Sequence, residues 1–77
     1  MPTIEMVGPY RIFFTSHDRG EPPHVHVKRD RMAAKFWIQP VALARNDGFP
    51  PKELNELQRI IEEGQWRYQE KWREFFG

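Results

Sequence analysis

Apolar and polar residues alternate over the first part of the chain, a period of two that is typical of β-strands with one buried face. The alternation is clearest in residues 32–39, where Ala34, Phe36 and Ile38 share one face of an extended strand. Gly8-Pro9 marks a turn between residues 4–7, which are short and apolar, and residues 10–15, which are rich in aromatic and β-branched side chains. The pattern predicts strands at residues 4–7, 10–15, 24–28 and 32–39, and either a short strand or a turn at residues 41–44.

The period changes to that of a helix after the break at Asn46-Asp47-Gly48. Prolines at positions 50 and 51 fit the first turn of a helix, where backbone N–H groups have no partner within the helix. Apolar residues then recur at spacings of three and four, and we expect Gly64 to end this helix at its C′ position. An aromatic-rich helical segment follows. The pattern therefore predicts helices at about residues 51–63 and 65–76, with one helix kinked at Gly64 as the alternative.

Together these segments predict a single α+β domain over residues 1–77. A small antiparallel sheet of three to four strands, within residues 3–45, precedes the two helices, which pack on one of its faces. The absence of cysteine excludes disulfide scaffolds, zinc–thiolate sites and thiol catalysis. No apolar run is long enough to span a bilayer and no signal-peptide pattern is present, so we expect no membrane association and a cytoplasmic location.

The segment Pro22-Pro23-His24-Val25-His26 is the strongest candidate for chemistry. Each proline restricts its own φ and favours an extended residue before it, so the segment should begin a strand. Alternation then places both histidines and Lys28 on one strand face. Because imidazole exchanges protons near neutral pH, His24 and His26 could act as general acid and general base. His17 and Asp18, in the preceding loop, could add a second base or an orienting carboxylate.

Cations follow the histidines closely, at Lys28, Arg31 and Lys35. They could contact phosphate groups and stabilise negative charge as it develops in a reaction. Trp37 shares a strand face with Lys35 and could stack on a nucleic-acid base. These residue types suit the cleavage of a phosphodiester without a metal, and no cofactor is predicted.

Three other interpretations fit the same residues. The two histidines could hold a divalent metal, with Asp18 or Glu21 as a third ligand. They could instead be structural, each ring satisfied by a carbonyl or a carboxylate at the sheet edge. The cations could be the solvated residues of a hairpin turn, where they would keep strand edges from pairing with other chains. These interpretations stand beside the catalytic one.

Ordered blocks along the chain carry a family resemblance. They are the opening Met-Pro-Thr-Ile, Gly-Pro-Tyr-Arg-Ile-Phe-Phe at residues 8–14, Glu-Pro-Pro-His-Val-His-Val at 21–27, Ala-Lys-Phe-Trp-Ile at 34–38, and Asn-Asp-Gly-Phe at 46–49. In this order they resemble the domain-of-unknown-function 4160 family of small prokaryotic proteins, from Met1 to about Phe76. The resemblance is more specific than any one of the motifs.

The resemblance implies a partner as well as a role. Family members are often encoded beside a domain-of-unknown-function 2442 protein, in pairs that look like toxin–antitoxin modules. The chain would then be the toxin, inhibiting growth by acting on RNA or translation, and its partner a cognate antitoxin of the 2442 type. We therefore expect a metal-independent ribonuclease; the alternatives are a non-enzymatic module that binds protein or nucleic acid, and a metal-binding domain. The family signature, on which residues 22–26, 34–36 and Trp72 fall, brings no catalytic assignment with it.

Overall fold

The computed structural model describes residues 3–77, which form one five-stranded antiparallel sheet followed by two helices. The strands lie in chain order and are β1 (Thr3–Val7), β2 (Tyr10–Phe13), β3 (His24–Arg29), β4 (Met32–Ile38) and β5 (Val41–Asp47). The helices are α1 (Pro51–Glu63) and α2 (Gln65–Phe76), and a short 3₁₀ helix, Ser16–Asp18, lies between β2 and β3. Met1 and Pro2, which the family resemblance includes, lie outside the described residues.

The predicted α+β architecture and both predicted helices are confirmed. The sheet has five strands rather than three or four, because β5 pairs with β4 along nearly its whole length and reaches Asp47. The register shifts between Lys35 and Phe36, which lie opposite Arg45 and Leu43, so Ala44 is an extra residue in β5. The break falls at Gly48, whose φ of 104° is a conformation that suits glycine. Among the described residues, no helix is long and apolar enough to cross a bilayer.

The hydrophobic core lies between one face of the sheet and the two helices. The strand alternation predicted from sequence is realised in β4, where Phe36 and Ile38 are fully buried. Removing such side chains from water stabilises the fold by about 25 cal/mol for each Å² of apolar surface buried. We call the helix-covered side of the sheet the inner face and the opposite side the outer face. The core residues are Tyr10, Ile12, Val25, Val27, Ala34, Phe36, Ile38, Phe49, Leu57, Ile61 and Tyr68.

Gly64 separates the two helices, but not as the C′ glycine that the sequence predicted. Its φ is −99°, so it does not use the left-handed conformation that usually explains a glycine at a helix end. The reason for glycine is space, because a Cβ atom here would lie 2.7 Å from the ring of Tyr68. Tyr68 is fully buried and cannot easily move away. The predicted break is therefore present, and close packing accounts for it.

Two groups of polar side chains tie the sheet to the helices. Glu5 of β1 accepts hydrogen bonds from Arg67, at 2.9 and 2.8 Å, and from the Tyr68 hydroxyl at 2.8 Å. The hydrogen bonds from Arg67 lower the pKa of Glu5 and outweigh the opposing effect of burial. Glu53 of α1 holds Arg29 of β3 in the same manner, through both of its carboxylate oxygens.

We expect Glu5→Gln to weaken the dependence of stability on acid pH. The pKa of Glu5 is lower in the folded chain than its model value of 4.5, so its carboxylate stabilises the fold at pH values above that value. That contribution is lost as the pH falls through the folded-state pKa. At neutral pH the variant should be less stable by about 1 kcal/mol, because hydrogen bonds to a charged group are weakened. Urea unfolding between neutral and acid pH measures both effects.

The control for net charge is Glu63→Gln, which removes an exposed carboxylate at the end of α1. The stabilities of wild type and Glu5→Gln should converge as the pH falls. A constant difference between them at all pH values would contradict the role given to the Glu5 carboxylate.

Candidate functional site

The outer face of the sheet carries a continuous row of four side chains. Phe13 of β2 lies opposite His26 of β3, His26 lies opposite Lys35 of β4, and Lys35 lies opposite Arg45 of β5. Directly opposed residues in antiparallel strands have Cβ atoms about 5 Å apart, so neighbours along this row are in reach of one another. We call these four residues the central row. It aligns an aromatic ring, an imidazole and two cations.

Aromatic and cationic side chains also meet on either side of the central row. The guanidinium carbon of Arg11 lies 4.5 Å from the centre of the Phe13 ring, and Nζ of Lys35 lies 4.7 Å from the centre of the Trp37 ring. Lys28, opposite Arg11 in the sheet, is exposed on the same face. The outer face therefore combines flat rings with positive charge, as the alternation along β3 and β4 predicted for Lys28, Lys35 and Trp37.

Asp18 approaches the central row from the loop between β2 and β3. The N–H of Thr15 donates to Oδ2 of Asp18 at 2.8 Å, which holds the carboxylate at the end of the 3₁₀ helix. The side chain of Asp18 is 9 % exposed. Burial raises the pKa of Asp18, but the hydrogen bonds from the Thr15 N–H and from His26 more than offset this effect, so the pKa of Asp18 lies below its ordinary value. The carboxylate is thus held in its charged form.

Both histidines direct Nε2 at this one carboxylate. Nε2 of His26 lies 3.0 Å from Oδ2 and 3.2 Å from Oδ1 of Asp18, within hydrogen-bonding geometry. Nε2 of His24 lies 3.1 Å from Oδ1. The ring of His26 also stacks on that of Phe13, with centroids 5.3 Å apart. The three side chains form a compact group, which we call the Asp–His–His cluster.

The two histidines differ in their exposure and in their bonds. The His24 side chain is fully buried, whereas that of His26 is 27 % exposed. Nδ1 of His24 donates to the carbonyl oxygen of Pro22 at 2.9 Å. Nε2 of His24, despite its short distance from Asp18, does not meet hydrogen-bonding geometry with any described residue. Only His26 of this pair is therefore placed to contact a substrate as well as Asp18.

The burial of His24 comes from large aromatic neighbours. Its ring lies 5.6 Å from that of Trp37 on β4 and 5.1 Å from that of Trp72 near the end of α2. Trp72 in turn packs against Phe76 and Phe14. A small aromatic cluster therefore closes this end of the sheet over His24.

A metal could be held by the Asp–His–His cluster. One donor atom from each of its three residues can be chosen so that all lie within 4.8 Å of one another. Asp18 is the carboxylate that joins the histidines, while Glu21, the other ligand considered from sequence, instead pairs with Lys35. That hydrogen bond from Lys35 lowers the pKa of Glu21.

A groove of about 420 Å³ opens beside the cluster on the outer face. Asp18, His26 and Lys35 all contribute to its wall, whereas His24 does not. The complete lining is Phe13, Asp18, Glu21, His26, Ala33, Ala34, Lys35, Trp37, Ala44, Arg45 and Asp47. A ligand in this groove would lie beside one histidine, three carboxylates and two cations.

The remaining residues predicted for the site lie apart from the cluster. His17 is exposed in the 3₁₀ helix, and no contact joins it to the cluster in the part of the chain that the structure describes. Arg31 is exposed in the turn between β3 and β4, at the end of that hairpin away from His24. The catalytic role of His17 and the contact of Arg31 with a phosphate group both stay predictions.

Two members of the central row were not recognised in the sequence. From sequence, Phe13 is predicted only as part of a strand. Its alternation with Ile12 nevertheless indicates that its side chain lies on the outer face. Arg45 was missed because the last strand was expected to end at residue 44. Its place opposite Lys35 depends on the register shift between β4 and β5 at Ala44, for which the local sequence has no clear signal.

We expect His24→Ala to destabilise the fold more than His26→Ala. Truncating the fully buried ring leaves a cavity beside Trp37 and Trp72, at a cost of about 2–4 kcal/mol. Truncating the half-buried ring of His26 loses mainly its hydrogen bond to Asp18, at about 1 kcal/mol. Urea unfolding followed by tryptophan fluorescence compares the two. Equal losses would contradict the difference in burial.

The comparisons with known proteins give one match. The family model described as Domain of unknown function (DUF4160) matches residues 10–73, which include the central row and the Asp–His–His cluster. No curated protein and no solved structure matches the chain.

Proposed function

The chain belongs to the Domain of unknown function 4160 family, and we propose that it acts on single-stranded RNA through the outer face of its sheet. The observation that carries this proposal is the central row, where Phe13, His26, Lys35 and Arg45 adjoin across four strands. Single-stranded nucleic acid is commonly bound by aromatic rings that stack on bases and by cations that follow the backbone. The row offers both, with a proton-transfer group between them.

On this face, different residues provide base stacking and positive charge. Trp37 and Phe13 present rings on either side of His26 and Lys35, at a spacing set by the sheet. Lys28 and Arg45 are exposed and, within residues 3–77, have no acidic partner, so they are available to phosphate groups. A flexible single strand can place its bases on such rings, whereas the bases of a duplex are already stacked and paired.

The reaction we propose on bound RNA is transesterification. The 2′-oxygen of a ribose attacks the adjacent phosphorus, and the bond from phosphorus to the 5′-oxygen breaks, giving a 2′,3′-cyclic phosphate and a 5′-hydroxyl. His26 accepts the proton of the 2′-hydroxyl, while water supplies a proton to the departing 5′-oxygen. Asp18 stabilises the imidazolium so formed. Lys35 and Arg45 stabilise the charge that develops on the phosphate.

His24 has a positioning role in this scheme. Its ring is buried and anchored on Pro22, so it supports Asp18 from behind instead of contacting the RNA. The two histidines thus differ in function, and His26 is the one that touches substrate.

In the cell, we propose that this activity makes the chain the toxin of a toxin–antitoxin pair. The support is the family resemblance, which also suggests a domain-of-unknown-function 2442 protein as the cognate antitoxin. An antitoxin that covered the central row would block access of RNA to His26. The RNA target, the toxin and the antitoxin would then all be in the cytoplasm of a prokaryote.

A second candidate is an RNA-binding module without turnover. The observation that favours it is the burial of His24, which leaves one imidazole of the Asp–His–His cluster accessible where many metal-free ribonucleases need an acid and a base. The binding surface is the same in both candidates. They differ only in whether His26 transfers a proton.

We expect Lys28→Ala/Arg45→Ala to weaken the binding of single-stranded RNA. Each lost phosphate contact reduces the slope of log affinity against log salt by about 0.7. Trp37→Leu should lower the affinity by at least about fivefold, because base stacking contributes about 1–3 kcal/mol per base. The measurement is fluorescence anisotropy on a labelled RNA of about ten nucleotides, a length within the usual site sizes of such surfaces.

The matched control is Lys52→Ala/Arg59→Ala, which removes the same charge from exposed positions of α1. It should keep the affinity of the wild type. Equal weakening by both double variants, or no binding by the wild type at low salt, would refute the RNA surface.

We expect His26→Gln to retain RNA binding and to lose RNA cleavage and growth arrest. Glutamine can still donate a hydrogen bond to Asp18, but it cannot act as a base near neutral pH. The readouts are end-group analysis for a 2′,3′-cyclic phosphate and bacterial growth after induction at matched soluble expression. Arg59→Gln, at an exposed position of α1, is the control.

Cleavage by the wild type that survives in His26→Gln would rule out the proposed base. Binding without cleavage by either chain would favour the second candidate.

A further inference from the structure

We propose that the Asp–His–His cluster is a binding site for one divalent transition-metal ion, of which Zn²⁺ is the representative. This inference does not depend on the proposed action on RNA. Zinc lies about 2.0–2.2 Å from nitrogen and oxygen ligands, so two ligands of one ion are at most about 4.4 Å apart. Nε2 of each histidine already lies 3.0–3.1 Å from an oxygen of Asp18. All three donor atoms lie within 4.8 Å of one another, so modest side-chain shifts would bring them around an ion.

The hydrogen bond at the other side of the His24 ring supplies the decisive observation. The Pro22 carbonyl can only accept, so Nδ1 of His24 carries a proton and Nε2 is the ring nitrogen available to a ligand. Nε2 lies 3.1 Å from a carboxylate oxygen of Asp18, yet it makes no hydrogen bond of acceptable geometry with that oxygen. An ion bound to both atoms would give each of them a partner.

Nε2 of His24 also lacks an alternative partner. It is buried and makes no hydrogen bond of acceptable geometry with any residue of the described chain. A buried polar atom without a hydrogen bond destabilises the fold. Coordination of a metal by this atom would remove that cost.

The surroundings of the cluster have the features that orient metal ligands. Histidine ligands usually donate their other N–H to a carbonyl or carboxylate, as Nδ1 of His24 does to Pro22. Asp18 is oriented in turn by the Thr15 N–H. Trp37 and Trp72 fix the His24 ring on its flanks. The ligands would therefore lose little conformational freedom when an ion binds.

The donor set selects the class of ion. Two imidazoles and one carboxylate suit zinc and its neighbours among the transition metals, whereas Mg²⁺ and Ca²⁺ prefer oxygen ligands. Three protein ligands leave a coordination position for water or a substrate oxygen. His26 and Asp18 both line the outer-face groove, so that position would be reached from the groove. With an ion bound, Nε2 of His26 would be a ligand, and His26 would no longer serve as the base of the metal-free reaction.

The test is calorimetric titration of Zn²⁺ into the full-length chain, purified without a histidine tag and dialysed against a chelator. We expect saturable binding of one ion per chain and a higher thermal unfolding midpoint, because an ion that binds only the folded state stabilises it. Titration of Mg²⁺ should show neither. Co²⁺ binding followed by its visible spectrum reports directly on nitrogen and oxygen coordination.

The variants are Asp18→Asn and His26→Gln, because His24 substitutions risk loss of the fold. Each should weaken Zn²⁺ binding by at least about 100-fold, the upper end of what disturbing an outer-shell contact costs. His17→Ala keeps both ligand histidines and should bind as the wild type does. Circular dichroism establishes that each variant is folded.

Three results would overturn the proposal: no saturable Zn²⁺ binding by the wild type, binding that Asp18→Asn and His26→Gln retain, or binding that His17→Ala loses. Nitrogen NMR gives an independent criterion, since in excess Zn²⁺ the Nε2 signal of His24 should shift to that of a metal-bound nitrogen while Nδ1 stays protonated. No step uses RNA, so failure here is distinguishable from failure of the proposed function.

Discussion

Placing the charged carboxylate of Asp18 against the sheet is the constraint on which the site depends. A buried carboxylate is strongly disfavoured unless hydrogen bonds or positive charge replace its water. Here the Thr15 N–H and His26 supply hydrogen bonds, and His24 closes the remaining side. These partners fix the loop between β2 and β3, since the carboxylate can be satisfied only where that loop meets the start of β3. The orientation of both imidazole rings follows from the same contact.

Strand β3 connects this constraint to the stability of the whole domain. Its valines at positions 25 and 27 are buried in the core, while His24, His26 and Lys28 point to the other side. A slip of one residue would turn every side chain to the opposite face, placing histidines in the core and valines at the surface. Core packing therefore enforces the register that opposes His26 to Phe13 and Lys35. The side chains of the site keep these positions because the fold cannot tolerate the alternative register.

The elements predicted correctly from sequence are those with a strong local signal, such as prolines at a helix start or alternation along a strand. Prolines 50 and 51 begin α1, and alternation along β3 and β4 places His26, Lys35 and Trp37 on one face. Features that depend on long-range packing were not predictable. The burial of His24 comes from Trp72, far along the chain, and the close approach of Tyr68 explains Gly64. Arg45 joins the row only through a register shift, and nothing local selects Asp18 over Glu21 as the residue between the histidines.

The difference between the two histidines limits which mechanisms the site can support. A mechanism with both imidazoles on the substrate would need the aromatic cluster around Trp72 to open, exposing side chains that now contribute to stability. A mechanism with one exposed imidazole needs no such opening, since His26 already lines the groove. The buried ring then acts through Asp18, either by stabilising the carboxylate that orients His26 or by sharing an ion with it. In both cases, His24 contributes a fixed nitrogen at a fixed distance, and its burial among tryptophans provides the rigidity that either role requires.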